Sequence, residues 1–152
     1  MDVTVIRHGT AEDRAPSDAE RALTATGQAE AARAGERVAQ TAPPPDLIVS
    51  SPYLRARQTA DAVAARVGLA GQVELDEALV PEASPEGVRE LLSRLTARHH
   101  VVLVAHEPIL SAVCGLLLGR SVHGLRRAEI LSMQSGDGPD VRPGGFTFRF
   151  RA

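Results

Sequence analysis

Asp2-Val3-Thr4-Val5-Ile6-Arg7-His8-Gly9-Thr10 is the stretch on which the fold turns. A short run rich in β-branched residues stops abruptly at a cation, an imidazole and a glycine. Runs of this kind, apolar with little alternation, suit strands covered on both faces, as in a parallel sheet between helical layers. The texture recurs twice. Leu47 to Val49 runs into Ser50-Ser51-Pro52-Tyr53-Leu54-Arg55-Ala56-Arg57-Gln58-Thr59, and Val101 to Val104 runs into Ala105-His106-Glu107-Pro108.

Helical patterns separate these runs. Thr24 is placed to cap a helix reaching to about Gln40, and Ser51-Pro52 and Ser84-Pro85-Glu86 each read as an N-cap followed by proline at the first helical position. They predict helices over about residues 52–67 and 86–98, the former with Ala56, Ala60, Val63, Ala64 and Val67 on one face. Beyond Leu118-Gly119 the segment Glu129 to Ser135, a turn rich in Gly, Asp and Pro, and the alternating Phe146-Thr147-Phe148-Arg149-Phe150 predict a C-terminal β-hairpin. The expected fold is therefore α/β, a three-layer sandwich with a mostly parallel central sheet flanked by helices and joined by right-handed crossovers.

With 152 residues, 43% of them hydrophobic and 24% charged, the chain predicts a single domain over residues 1–152 that needs no disulfide or metal staple. Pro43-Pro44-Pro45 reads as a loop inside it. Cys114, the only cysteine, lies in an apolar stretch and reads as a small buried hydrophobe. The N-terminal residues lack a basic and apolar leader pattern, and no run approaches the roughly 18 residues of a membrane span, so a cytoplasmic protein without membrane contact is expected. A net charge of −2 gives no global field for nucleic acid. All 17 basic residues are arginine, a composition that fits source bias or, at some positions, forked anion contacts.

In sheets of this type ligands bind beyond the carboxyl ends of the strands. Three strand ends here deliver His8, His106, Arg7, Arg55 and Arg57 to one rim. Cations gathered near helix N-termini repel one another unless an anion is the ligand, and phosphate matches both the charge and the forked geometry.

Arg7-His8-Gly9 after an N-terminal strand, Leu23-Thr24-x-x-Gly27-Gln28 at the first helix, Ser51-Pro52-x-Leu54-Arg55-Ala56-x-Gln58-Thr59-Ala60 at the second, and His106 after a later strand form an ordered set. It resembles the histidine phosphatase, or phosphoglycerate mutase-like, superfamily, and the short chain resembles the small SixA-type phosphohistidine phosphatases. The resemblance implies hydrolysis through a covalent phosphohistidine on His8, with Arg7, Arg55 and His106 holding the phosphoryl oxygens and no metal or organic cofactor. Thr10 lends a hydroxyl to phosphate or caps its turn. Arg57, about 200° around the helix from Arg55, reads as solvated. His99, His100 and His123 read as surface or strand-edge residues.

The mutase branch carries a glutamate two residues after a leucine in the middle loop; here Leu79-Val80 is followed by Pro81, and Glu82 comes one place later. Glu77, Glu82 and Glu107 are the available carboxylates, with Glu82 and Glu107 the candidate general acids. An alkoxide leaving group needs such an acid, whereas the imidazole of a phosphohistidine is readily protonated by solvent. The expected substrate is therefore a phosphorylated protein, such as a histidine phosphotransfer domain. The alternatives are a small phosphomonoester and, in another functional class, a non-catalytic phosphate or phosphopeptide binding module.

Overall fold

The structure, a computed structural model, describes residues 1–136 and 140–152. Strand β1 (Asp2–Arg7) leads to α1 (Ala25–Val38), β2 (Leu47–Ser50), α2 (Leu54–Val67), β3 (Glu74–Leu75), α3 (Pro85–Ser93), β4 (His100–Ala105), α4 (Ile109–Leu118), β5 (Ile130–Ser135) and β6 (Phe146–Arg151). The six strands form one sheet in the order β3-β2-β4-β1-β5-β6. The first four strands run parallel, while β5 is antiparallel to β1 and β6 to β5.

The pleat sends alternate residues to opposite faces. Val3, Val5, Val49, Val101 and Leu103 pack with Val88 and Leu92 of α3 and with Leu110 and Val113 of α4. Ile6, Ile48, Val102 and Val104 pack with Ala34 and Val38 of α1 and with Ala56, Ala60 and Val63 of α2. Both faces are thus covered, as the apolar runs require, giving the three-layer α/β sandwich with its C-terminal hairpin. Asp137-Gly138-Pro139, part of the expected hairpin turn, lies outside the described residues. Among the described residues, no helix is long and apolar enough to cross a membrane.

Local chemistry sets the element ends. Thr24 caps α1 by accepting from Gly27 N at 3.0 Å, and Ser84 caps α3 by accepting from Gly87 N at 3.0 Å, with Pro85 in the first turn. The second helix departs from expectation: it starts at Leu54 with Tyr53 as N-cap, and Ser51 Oγ accepts from Tyr53 N just ahead of it rather than from a helical N–H. Helix α1 stops at Val38, two residues early, and α3 stops at Ser93, where Leu95 and Arg98 turn back onto Leu92 and Leu95. His100 is not at the surface. It is buried, with Nε2 2.8 Å from Thr4 Oγ1 and Nδ1 2.8 Å from Pro43 O. His99 and His123 are exposed, and Cys114 is buried, its thiol pKa pushed up to about 12 by burial.

Two glycines bring β1's exit against α1. A Cβ on Gly27 would stand 2.0 Å from Thr10 O, and one on Gly9 would stand 2.7 Å from Gly27 O. Gly27→Ala is expected to cost about 2–3 kcal/mol as the loop is forced off the helix. Urea denaturation measures this, and an unchanged midpoint would show that the contact can relax.

Candidate active site

His8 sits at the end of β1, with its backbone N–H bound to Ala105 O at 3.0 Å. Its Nδ1 lies 2.7 Å from Gly9 O, so the ring proton is donated there and Nε2 keeps its lone pair. Arg55 Nε donates to that Nε2 at 3.3 Å. Burial lowers the His8 pKa from its usual 6.5 to about 4; the Gly9 hydrogen bond opposes this, and the charges of Arg55, Arg7 and Arg21 add to it.

The second histidine comes from the end of β4. His106 is buried, its ring centroid 5.1 Å from that of His8 and 5.3 Å from that of Tyr53. Ser51 Oγ accepts from Tyr53 N at 3.2 Å and lies 2.8 Å from His106 Nε2. With the hydroxyl proton directed to Nε2, we assign the ring proton to Nδ1. Among the described residues this buried Nδ1 has no partner. Burial, with the neighbouring His8 and Arg55, lowers the His106 pKa to about 3.

Arg7 shows the same signature. Its Nη1 donates to Leu125 O at 2.9 Å, while its buried Nε has no partner among the described residues. Buried donors are normally satisfied, so two such groups, one on the residue preceding His8 and one on the ring packed against it, fit an oxyanion.

The motif residues around Arg55 hold this arrangement. Thr59 Oγ1 accepts from Gly9 N at 3.1 Å and donates to Arg55 O at 2.8 Å, and Gln58 Oε1 accepts from Leu23 N at 2.7 Å. Arg55, only 4% exposed, also donates through Nη1 to Asp18 O at 2.8 Å and through Nη2 to Asp18 Oδ2 at 3.2 Å. Asp18 takes Arg21 Nε on its other oxygen at 2.8 Å, and this bond, with Arg55, holds its carboxyl below the usual range. Asp18 and Tyr53 are not singled out in the sequence, and Ser51 is read there as a helix cap rather than as a site residue. One signal was present for Asp18: the stretch from His8 to Thr24 is far longer than the 2–6 residues usual between a strand and a helix, and long loops tend to be functional.

The structure thus brings His8, His106 and Arg55 into direct contact range, with Arg7 adjoining. Arg57 is exposed. Thr10 donates its backbone N–H to Glu30 at 2.9 Å, and among the described residues no hydrogen bond engages its hydroxyl. The Glu107 carboxylate turns away from His8, accepting from Ser111 N at 3.2 Å, Ser111 Oγ at 2.5 Å and Leu125 N at 3.1 Å. Glu77 and Glu82 are exposed, and their charges reach Tyr53, adding to a rise in its pKa that begins with desolvation. Among the described residues no group of three His, Cys, Asp or Glu is placed to hold a metal.

The depressed pKa values have a pH signature. The folded protein keeps His8 neutral while the unfolded chain protonates near 6.5, so acid favours unfolding. Stability is therefore expected to be full above pH 6.5 and to decline as pH falls toward about 4, with His106 extending the decline. NMR titration of the imidazole rings and urea denaturation across this range check it. A His8 midpoint near 6.5 would contradict it.

Two strand ends and the start of α2 that gather two neutral histidines and two arginines fit a phosphoryl-handling enzyme. The chain belongs to the histidine phosphatase superfamily (branch 1), whose sequence model matches residues 3–80, and it is a phosphatase. It is 33% identical over 143 residues to an uncharacterized protein of Picosynechococcus sp., covering 90% of this chain and 86% of that one. It is 30% identical over 129 residues to the phosphohistidine phosphatase SixA homolog of Haemophilus influenzae, covering 79% of each. Its structure superposes on that of the protein histidine phosphatase SixA complexed with tungstate with a TM-score of 0.89, at 26% identity over 99% of this chain and 96% of the other. A mycobacterial glucosyl-3-phosphoglycerate phosphatase shares the fold, with a TM-score of 0.78 at 20% identity over 97% and 96% of the two chains.

Proposed function

We propose that this phosphatase, acting as a single domain over residues 1–152, hydrolyses phosphohistidine displayed on another protein through a covalent phosphoryl intermediate on His8. The observation that carries the reading is the state of His8: neutral, its proton committed to Gly9 O, and its Nε2 lone pair facing Arg55. The Nε2 lone pair forms a bond to phosphorus as the substrate P–N bond breaks and its electron pair leaves on the imidazole, which takes up a proton. Water then attacks phosphorus, the P–Nε2 bond breaks, and phosphate is released. Arg7 through Nε, Arg55 through its guanidinium and His106 through Nδ1 hold the non-bridging oxygens, with the Thr10 hydroxyl beside them. Such positioning and charge stabilisation supply most of the catalysis in phosphoryl transfer.

The carboxylates favour a phosphoramidate over an ester. Both Glu107 oxygens already accept hydrogen bonds, and Asp18 is held ionised by Arg21 and Arg55. Neither is a ready proton donor to an alkoxide. A second reading, a phosphatase of small phosphomonoesters with Glu82 as the acid, draws on the nearness of Glu82 to Tyr53, which stands against His106.

Turnover of a histidine-phosphorylated peptide and of a panel of sugar phosphates separates the two. The expected result is hydrolysis of the peptide, unaffected by Glu82→Gln. Fast turnover of sugar phosphates, inert phosphohistidine and a loss of ester hydrolysis in Glu82→Gln would overturn the first reading in favour of the second.

A further inference from the structure

Beside the catalytic rim lies a groove that the phosphoryl chemistry does not use. A cavity of about 590 Å³ is lined by Arg7, Glu30, Arg126, Arg127, Ala128 and Glu129, together with Ala152. A second cavity of about 290 Å³ shares Glu30, Arg127 and Ala128 with it and extends to Arg33 and Arg37 on α1. Together they make a continuous trough that starts at a residue of the phosphate site.

Over the whole trough the charged lining side chains are five arginines against two glutamates, a net positive wall. Glu30 is tied to Thr10 N, and Glu129, buried, accepts from Arg151 Nε at 2.8 Å and Arg151 Nη2 at 3.0 Å. Arg126 is 88% exposed at its side chain and reaches Glu129 only at 3.8 Å. Arg127 and Arg33 are exposed, and among the described residues neither has a charged or hydrogen-bonded partner through its side chain. Arg37 is partly engaged, over the Phe150 ring at 4.7 Å and to Gln40. Free guanidinium groups along a concave wall raise the local concentration of anions and orient them. A chain whose net charge is −2 gains nothing in solubility from such a strip.

We infer that this trough docks an acidic segment of the phosphoprotein substrate, with carboxylates on Arg126, Arg127 and Arg33 while the phosphohistidine enters beside Arg7. The inference rests on the substrate reading proposed above. An isolated phosphate needs none of these three arginines, whereas an acidic segment running along the trough from a phosphorylated histidine beside Arg7 would meet them. Contacts of this kind act on association and selectivity more than on the chemical step, and they weaken with salt.

Two synthetic histidine-phosphorylated peptides test it, identical except that one carries glutamates and the other glutamines beside the phosphohistidine. Wild-type protein is expected to favour the glutamate peptide about tenfold in kcat/KM at low ionic strength, mainly through KM. The preference should vanish at high salt and in Arg126→Gln/Arg127→Gln, and should shrink in Arg33→Gln, which alters a different element. Turnover of phosphoramidate itself should stay within about twofold in all three proteins, as it engages only the phosphate site. Equal turnover of the two peptides by wild type, or a preference that survives in the double variant, overturns the docking inference and leaves the substrate reading standing. Wild type that spares both peptides but cleaves sugar phosphates is a different result, overturning the substrate reading and the docking inference with it.

Discussion

His8→Ala is expected to lower turnover by about 10⁴-fold or more and to abolish the acid-labile phosphoenzyme, because the step it removes is bond formation to phosphorus. The rest of the site should persist. Arg55 keeps its bonds to Asp18, His106 keeps Ser51, and Arg7 keeps Leu125 O, so inorganic phosphate should still bind. Brief exposure to a ³²P-labelled substrate followed by denaturation and gel analysis measures the intermediate, and calorimetric titration measures phosphate binding. Label retained in the variant would move the nucleophile to another residue. Turnover close to wild type would remove the covalent mechanism altogether.

Arg55→Ala is expected to raise the barrier by about 3 kcal/mol, roughly two orders of magnitude in kcat, by analogy with the loss of an oxyanion donor. Arg55 also lowers the His8 pKa. Without that positive neighbour the pKa rises, so the acid midpoint of the His8 ring should move upward from about 4 in the variant. Arg55→Lys restores the charge but not the fork that spans His8 Nε2 and Asp18, and should recover the His8 titration better than it recovers kcat. Kinetics and ring NMR on the two variants separate the roles. A variant in which neither kcat nor the titration moves would make Arg55 only a strut for the Asp18 loop.

What was legible in the sequence is what depends on short-range pattern. The apolar runs at Val3, Leu47 and Val101 read as covered strands because burial on both faces erases alternation, and Thr24 and Ser84 read as caps because the backbone N–H that each hydroxyl accepts from, Gly27 and Gly87, lies only three residues on. Ser51 instead accepts from Tyr53 N, just ahead of the helix. Its hydroxyl also lies 2.8 Å from Nε2 of His106, which is 55 residues away in the chain, a contact no local window reveals. His100 misled in the same way, since its ring is satisfied by Thr4 and by Pro43 O across the sheet. Glu107 sits next to His106 in sequence, yet the start of α4 turns its carboxylate toward Ser111 and Leu125. Asp18 carried no pattern of its own, and only the fold that lays its loop over Arg55 places it at the site.

The single hydroxyl of Thr59 accepts from Gly9 and donates to Arg55 O, while Gly9 is pressed against Gly27 at the head of α1. The loop of the proposed nucleophile, the proposed anion clamp and the helix start are thereby one mechanical piece. For protein engineering the lesson is modular: grafting only the Arg7-His8-Gly9 tripeptide onto another parallel sheet would carry the reactive atoms without their spacing. The smallest portable unit is the exit of β1, the first turn of α1 and the first two turns of α2, moved together.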